Sequence, residues 1–192
     1  MARPKGLFCG VGINDSDYAI SETVNGKRKL CPIYQVWASM IKRCYCSIFH
    51  NENPSYVGCS VYEGWLLFSN FRSWMEKQDW IGKELDKDLI IKGNKIYSPE
   101  ACVFIEHKVN NFIRDGKSGR KLPAGVSIHK KTGKFQARVS NPINKIEEHV
   151  GYFVCDKDAH LAWKKRKHEL ACQLAELQTD ERAANALRTR YL

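Results

Sequence analysis

The chain has 192 residues, enough for one or two small domains, and its 31 Lys and Arg against 21 Asp and Glu leave a formal charge of +10. That excess points to a polyanionic partner, with nucleic acid ahead of an anionic membrane: no basic amphipathic segment leads the chain, and no apolar run approaches the roughly 20 residues of a membrane span. Met1-Ala2-Arg3-Pro4-Lys5 leads into no signal-peptide core, so a soluble, intracellular protein is expected.

Residues 1–30 are polar and punctuated by glycine, and they read as an arm with a hairpin turn at Asn25-Gly26 beside Lys27, Arg28 and Lys29. Such an arm either follows a phosphate backbone or is a solvated loop, and both readings stay open. From Pro32 to Tyr45, the residues Ile33, Val36, Trp37, Met40, Ile41 and Cys44 recur at helical spacing. This predicts an amphipathic helix opened by its proline, with Lys42 and Arg43 on the polar side. Cys59-Ser60-Val61-Tyr62 reads as a brief strand. A second helix is predicted from about Gly64 to Gln78, where Trp65, Phe68, Phe71 and Trp74 form a stripe suited to a core.

Leu85 to Asp88 predicts a short strand, Gly93-Asn94 a polar loop, Ala101 to Ile105 a second strand, and the residues beyond it a helix. Strand, loop, strand, helix is the layout of a ββα one-metal nuclease site, in which acidic and amide oxygens converge on one hard cation. Residues 114–122 are basic and glycine-containing, a linker by composition. Beyond it, two alternating strands are joined by a Lys-Thr-Gly turn. A third strand, Glu148 to Phe153, precedes a helix that begins at a capping Asp156. The stretch from Ala171 to the end reads as a further helix that packs back on its domain or pairs with a second copy as a homodimer.

The eight cysteines stand at 9, 31, 44, 46, 59, 102, 155 and 172, with no Cys-x-x-Cys pair. Reduced and mostly buried thiols are expected, and zinc is not. An irregular site from Cys31, Cys44, Cys59 and His50 is the alternative.

Four stretches of the first part of the chain carry a resemblance. Tyr34-x-x-Trp37-x-x-Met40-x-x-Arg43-Cys44-Tyr45, then Pro54-Ser55-Tyr56, then Val61-Tyr62-x-x-Trp65-x-x-Phe68-x-x-Phe71, together with Leu85 to Asn111, resemble the HNH (His-Me finger) endonucleases of phages, in the branch of free-standing homing endonucleases. The resemblance implies a Mg²⁺- or Mn²⁺-dependent nuclease holding one ion. Asp86 falls on the first metal position and Asn110 on the second. Lys87 falls where the family has its water-activating His, and Ala101 where it has the Asn that orients that His. Lys87 or His107 is then the candidate base. Asp88, a further oxygen nearby, reads more simply as a solvated strand-end charge.

A further set, Gly125-Val126, Gly133-Lys134-Phe135, Gly151-Tyr152-Phe153 and Asp158-Ala159-His160-Leu161-Ala162-Trp163, resembles the DNA-binding domain of the plant ethylene-response-factor (Apetala) type. In that family the sheet enters the major groove of double-stranded DNA. Carried over by alternation, Phe135, Ala137 and Val139 face the helix. Gln136, Arg138 and Ser140 face DNA with Ser127, His129 and His149, and Lys131 and Lys134 stand beside them. This chain departs from the family's Arg- and Trp-rich face, and Arg138 stands where the plant proteins are acidic, so no base preference carries over.

The expected fold is therefore α+β: an arm over residues 1–30, an HNH-like ββα-metal unit with flanking helices over 31–113, a linker over 114–122, a three-stranded antiparallel sheet packed on one helix over 123–171, and a helix over 172–192. The expected function is a phage-type DNA endonuclease, working in the cytoplasm of an infected bacterium and targeted by its C-terminal domain. The alternatives are a catalytically degenerate DNA-binding protein, or an accessory protein that binds a host defence or replication protein.

Overall fold

The computed structural model describes residues 6–114, 119 and 121–192. The start of the expected arm (residues 1–5) and most of the expected linker (115–118 and 120) lie outside them. The protein is mixed α+β, and its chain divides into two compact units, Met1–Phe104 and Ile105–Leu192. Among the described residues no helix is long and apolar enough to cross a membrane.

In the first unit, β1 (Ser21–Val24) and β2 (Lys27–Leu30) form an antiparallel hairpin. Asn25 (φ 52°) and Gly26 (φ 72°) both adopt positive φ, which a two-residue hairpin turn requires and which this residue pair tolerates best. The predicted helix α1 (Pro32–Tyr45) follows, burying Ile33, Trp37, Met40, Ile41 and Cys44. A short helix, α2 (Ser47–Glu52), and a 3₁₀ turn lead to β3 (Ser60–Val61).

The single helix predicted from Gly64 to Gln78 is instead a 3₁₀ turn (Glu63–Leu66) followed by α3 (Phe68–Met75). Leu67 between them is extended because the chain there forms a bridge with a distant segment: Ile13 N–H donates to Leu66 O (2.8 Å) and Phe68 N–H to Ile13 O (3.0 Å). The aromatic stripe is core as expected. Trp65, Phe68 and Phe71 are buried around Trp37, whose indole N–H donates to Trp65 O at 2.7 Å.

β4 (Glu84–Asp86) hydrogen-bonds with β6 (Val103–Ile105), the latter shorter than the predicted Ala101 to Ile105. A strand not expected from the sequence, β5 (Ile96–Tyr97), pairs in parallel with β3.

The second unit opens with α4 (His107–Ile113), whose last carbonyls find side-chain donors in place of further helix. Lys167 Nζ donates to Phe112 O (2.7 Å) and lies 3.7 Å from the Phe112 ring centroid, while Arg190 Nη2 donates to Ile113 O (3.0 Å). β7 (Val126–Ile128), β8 (Phe135–Ser140) and β9 (Glu147–Phe153) form the expected antiparallel sheet, in that order.

α5 (Asp156–Ala175) packs across all three strands. Its N-cap is Cys155 and not the expected Asp156, which occupies the first turn with Asp158, where carboxylates favour the helix dipole. The C-terminal helix expected from Ala171 divides differently, because α5 runs on to Ala175 and a separate α6 (Glu181–Thr189) starts at Asp180. The Asp180 side chain caps α6 by accepting from Arg182 N–H at 2.8 Å. Ala and Leu side chains of α5 and α6 interlock: Leu170, Ala171, Leu174, Ala183, Ala184 and Leu187 are all at most 1% exposed.

Candidate functional site

Two regions carry the candidate residues. The first follows β4. Asp86 sits at the strand's end, half-buried, and its Oδ1 accepts from the backbone N–H of Asp88 (2.8 Å) and of Leu89 (2.6 Å). Burial raises its pKa against those two hydrogen bonds, with Asp88 adding to the rise and Lys87 opposing it. The carboxylate thus closes a tight turn with one oxygen. Among the described residues no hydrogen bond reaches the other, which leaves an oxygen suited to a hard cation.

Lys87 is 6% exposed, and its Nζ donates to Asp88 Oδ1 (2.7 Å) and to Asn94 O (2.7 Å). Asn94 returns the contact by donating to Lys87 O at 2.9 Å. The lysine therefore ties the turn after β4 to the loop before β5. Asp88 keeps a side chain 45% exposed, so the solvated charge expected there also takes part in this ion pair.

Ala101, where the resemblance has an orienting Asn, is buried, and its N–H donates to Ser98 Oγ at 3.3 Å. His107 and Asn110 belong to α4 in the second unit, the former exposed and the latter half-buried. Among the described residues no three His, Cys, Asp or Glu side chains form a group able to hold a metal, and Cys31, Cys44, Cys59 and His50 form none. None of the eight cysteines, all of them among the described residues, is in a disulfide. Cys44, Cys59 and Cys102 are buried and the other five half-buried, so burial is less general than expected.

The second region is the sheet face turned away from α5. Ala137 and Val139 are buried beneath it, as alternation predicts, while Arg138 and Ser140 are exposed. Ser127, Lys131, Lys134 and His149 are exposed as well, and His129 and Gln136 are half-buried. Gln136 bridges strands by donating from Nε2 to Ser127 Oγ at 3.0 Å, and its Oε1 is buried with no hydrogen-bond partner among the described residues. That amide is therefore part of the sheet's own bonding. Arg138 Nη1 donates to Glu147 Oε2 at 2.9 Å across the neighbouring strand, with both side chains exposed.

Two residues of this face escaped sequence reasoning. Tyr152 is 48% exposed between two imidazoles, its ring centroid 4.4 Å from that of His149 and 4.9 Å from that of His129. Strict alternation would put His149 and Tyr152 on opposite faces. A bulge at Ala137/Arg138 shifts the register, so that Tyr152 pairs with Gln136 while His149 pairs with Arg138. Glu147 was missed because only its ion pair with Arg138 gives it a role. The turn between β7 and β8 is held by Gly133 N–H to His129 O (2.9 Å) and His129 N–H to Lys134 O (2.9 Å), and it projects Lys130, Lys131 and Lys134 into solvent.

Comparison of the chain with protein families, with curated proteins and with solved structures finds no match.

Proposed function

We propose that the protein binds double-stranded DNA through the open face of the β7–β8–β9 sheet. The observation that carries this reading is a single polar face, backed by α5, that gathers Arg138, His129, His149, Ser127 and Ser140 beside the lysine-rich turn. Phosphates would take the lysines and Arg138, and base edges would meet the side chains along the strands. Glu147 competes with phosphate for Arg138, so the two residues should act with opposite sign. In salt-titrated binding to duplex DNA, Arg138→Ala is expected to weaken binding and lower the salt slope by about 1. Glu147→Gln is expected to tighten it. Unchanged affinity in both variants would remove this face from the reading.

The second reading, a phage-type HNH-like endonuclease, is supported by chain order: β4, its partner β6 and then α4, with Asp86 ending the first strand and Asn110 on the helix. Asp86, through its open oxygen, would be the first unit's ligand to one Mg²⁺ or Mn²⁺, an ion that when bound stabilises charge developing on the scissile phosphodiester. Asp86 is prepositioned for this by its two backbone donors. Lys87 spends its donors on two acceptors, which weighs against it as the group that takes a proton from water; His107, the other candidate base, belongs to the second unit. Conversion of supercoiled plasmid in Mg²⁺ or Mn²⁺, abolished by Asp86→Ala and by Asn110→Ala, is the expected result. DNA binding with no conversion in either metal would make this a DNA-binding protein without nuclease activity.

A further inference from the structure

Residues 22–29 of the β1–β2 hairpin are all exposed, on both faces of the ribbon. A two-stranded ribbon bathed in water on both sides gains little from packing and is marginal by itself. Among the described residues it is secured at its base, where Cys31 N–H donates to Ile20 O (2.8 Å) and Gln35 Nε2 to Leu30 O (3.0 Å). Its outer part carries three successive cations, Lys27, Arg28 and Lys29.

Elsewhere many cations of the molecule are matched to acids: Arg72 with Glu76, Lys83 with Asp79, Arg166 with Glu148 and Glu169, Arg188 with Glu176 and Glu181. On the hairpin, among the described residues, none of the three forms an ion pair or side-chain hydrogen bond, although Glu22 stands directly across from Lys29. Arg28 does lie near enough to Tyr34 for its charge to oppose the burial that raises that hydroxyl's pKa.

The register decides what such a ribbon fits. Successive side chains alternate, so Lys27 and Lys29 project from one face and Arg28 from the other. A flat anionic surface, such as a membrane or an acidic protein patch, meets one face and leaves the other cations in water. A groove with two phosphate walls meets both. Strands of four residues extend about 14 Å at 3.4 Å per residue, enough to fill a major groove roughly 8.5 Å deep that admits a two-stranded ribbon.

We propose that the β1–β2 hairpin is a second DNA contact, lying in the major groove of a duplex with Lys27 and Lys29 toward one wall and Arg28 toward the other. This rests on the reading that the protein binds double-stranded DNA, but uses none of the residues of the C-terminal sheet.

The test is salt-titrated anisotropy of the full chain on a short duplex. It compares the parent, the Lys27→Ala/Arg28→Ala/Lys29→Ala variant, the matching Gln variant, the single Arg28→Ala change and Arg138→Ala, with a thermal melt of each. Because the substituted side chains are exposed, the melts should stay unchanged, and the Gln set guards against loss of the strands. The triple variants are expected to lower the slope of log K against log salt by about 2 to 3, and Arg28→Ala alone by about 1. Methyl green, a major-groove ligand, should compete with the parent, and distamycin, a minor-groove ligand, should not.

Triple variants that bind like the parent while Arg138→Ala still weakens binding would overturn the hairpin contact and leave the DNA reading standing. A parent that does not bind duplex DNA would overturn both. An effect confined to Lys27 and Lys29, or a loss of binding to phosphatidylserine vesicles with duplex binding intact, would overturn the groove.

Discussion

Lys87 falls where the resembling family carries its base, yet its nitrogen is spent on Asp88 Oδ1 and Asn94 O at 2.7 Å each, in a position 6% exposed. The two possible roles make different predictions for Lys87→Met. A lost general base costs about 10²- to 10⁴-fold in rate with the fold intact. A lost tie leaves the Asn94 carbonyl without its donor, a cost of roughly 1–3 kcal/mol, whereas Asp88 is exposed enough to turn to water. The expected outcome is a lower melting temperature with DNA binding, and any cleavage per folded molecule, little changed. A normal melt with lost cleavage would restore the catalytic role. The sequence could place Lys87 in the resemblance but could not reveal this commitment, because the Asn94 carbonyl that holds it is a backbone atom with no signature in the residue string. The same limit hid Glu147, visible only once its bond to Arg138 is drawn.

At the scale of elements, regular periodicity was the legible part. α1 has its predicted bounds, the Asn25-Gly26 hairpin forms, and the sheet has the expected three strands. What periodicity could not carry was competition from distant segments. Ile13 draws Leu67 into an extended bridge and cuts the predicted helix, β5 exists because β3 offers it an edge, and one bulge turns Tyr152 onto the face of His149. The junction of sheet and α5 depends on Gly125, which has φ +77° and lies so close to the Trp163 indole that a methyl group there would overlap the ring. That indole stacks on His160, whose Nδ1 lies 2.9 Å from Ala124 O, so it has little room to move aside. Gly125→Ala combines a left-handed backbone cost of about 1–2 kcal/mol with overpacking of about 1–3 kcal/mol. A loss of roughly 2–5 kcal/mol in denaturant unfolding of the second unit is expected; a loss below about 0.5 kcal/mol, the scale of an ordinary surface substitution, would mean that the sheet and helix are not packed as described.

Across the whole molecule, the buried thiols tie stability to alkaline pH. Burial pushes Cys44 up to about 12, with the neighbouring Cys59 adding to the rise and the cations Lys87 and Arg43 opposing it. Burial likewise pushes Cys102 up to about 12 against a hydrogen bond from Ser98 N–H. An unfolded thiol ionises near 8.5. Between that pH and about 12 the folded chain holds protons that the unfolded chain has released. In that window the proton count is higher in the native state, so stability falls as pH rises, by up to about 1.4 kcal/mol per pH unit for each thiol. Below it the contribution of both thiols is complete and flat. Denaturant unfolding followed from pH 8 to pH 11 should therefore show a decline that becomes shallower in the Cys44→Ala/Cys102→Ala variant, even though that variant starts less stable from its lost packing. Parallel declines in the two proteins would show that the thiols are already ionised in the folded state. The core around α1, β3 and β6 would then admit water that the packing of Trp37, Cys44 and Cys102 excludes.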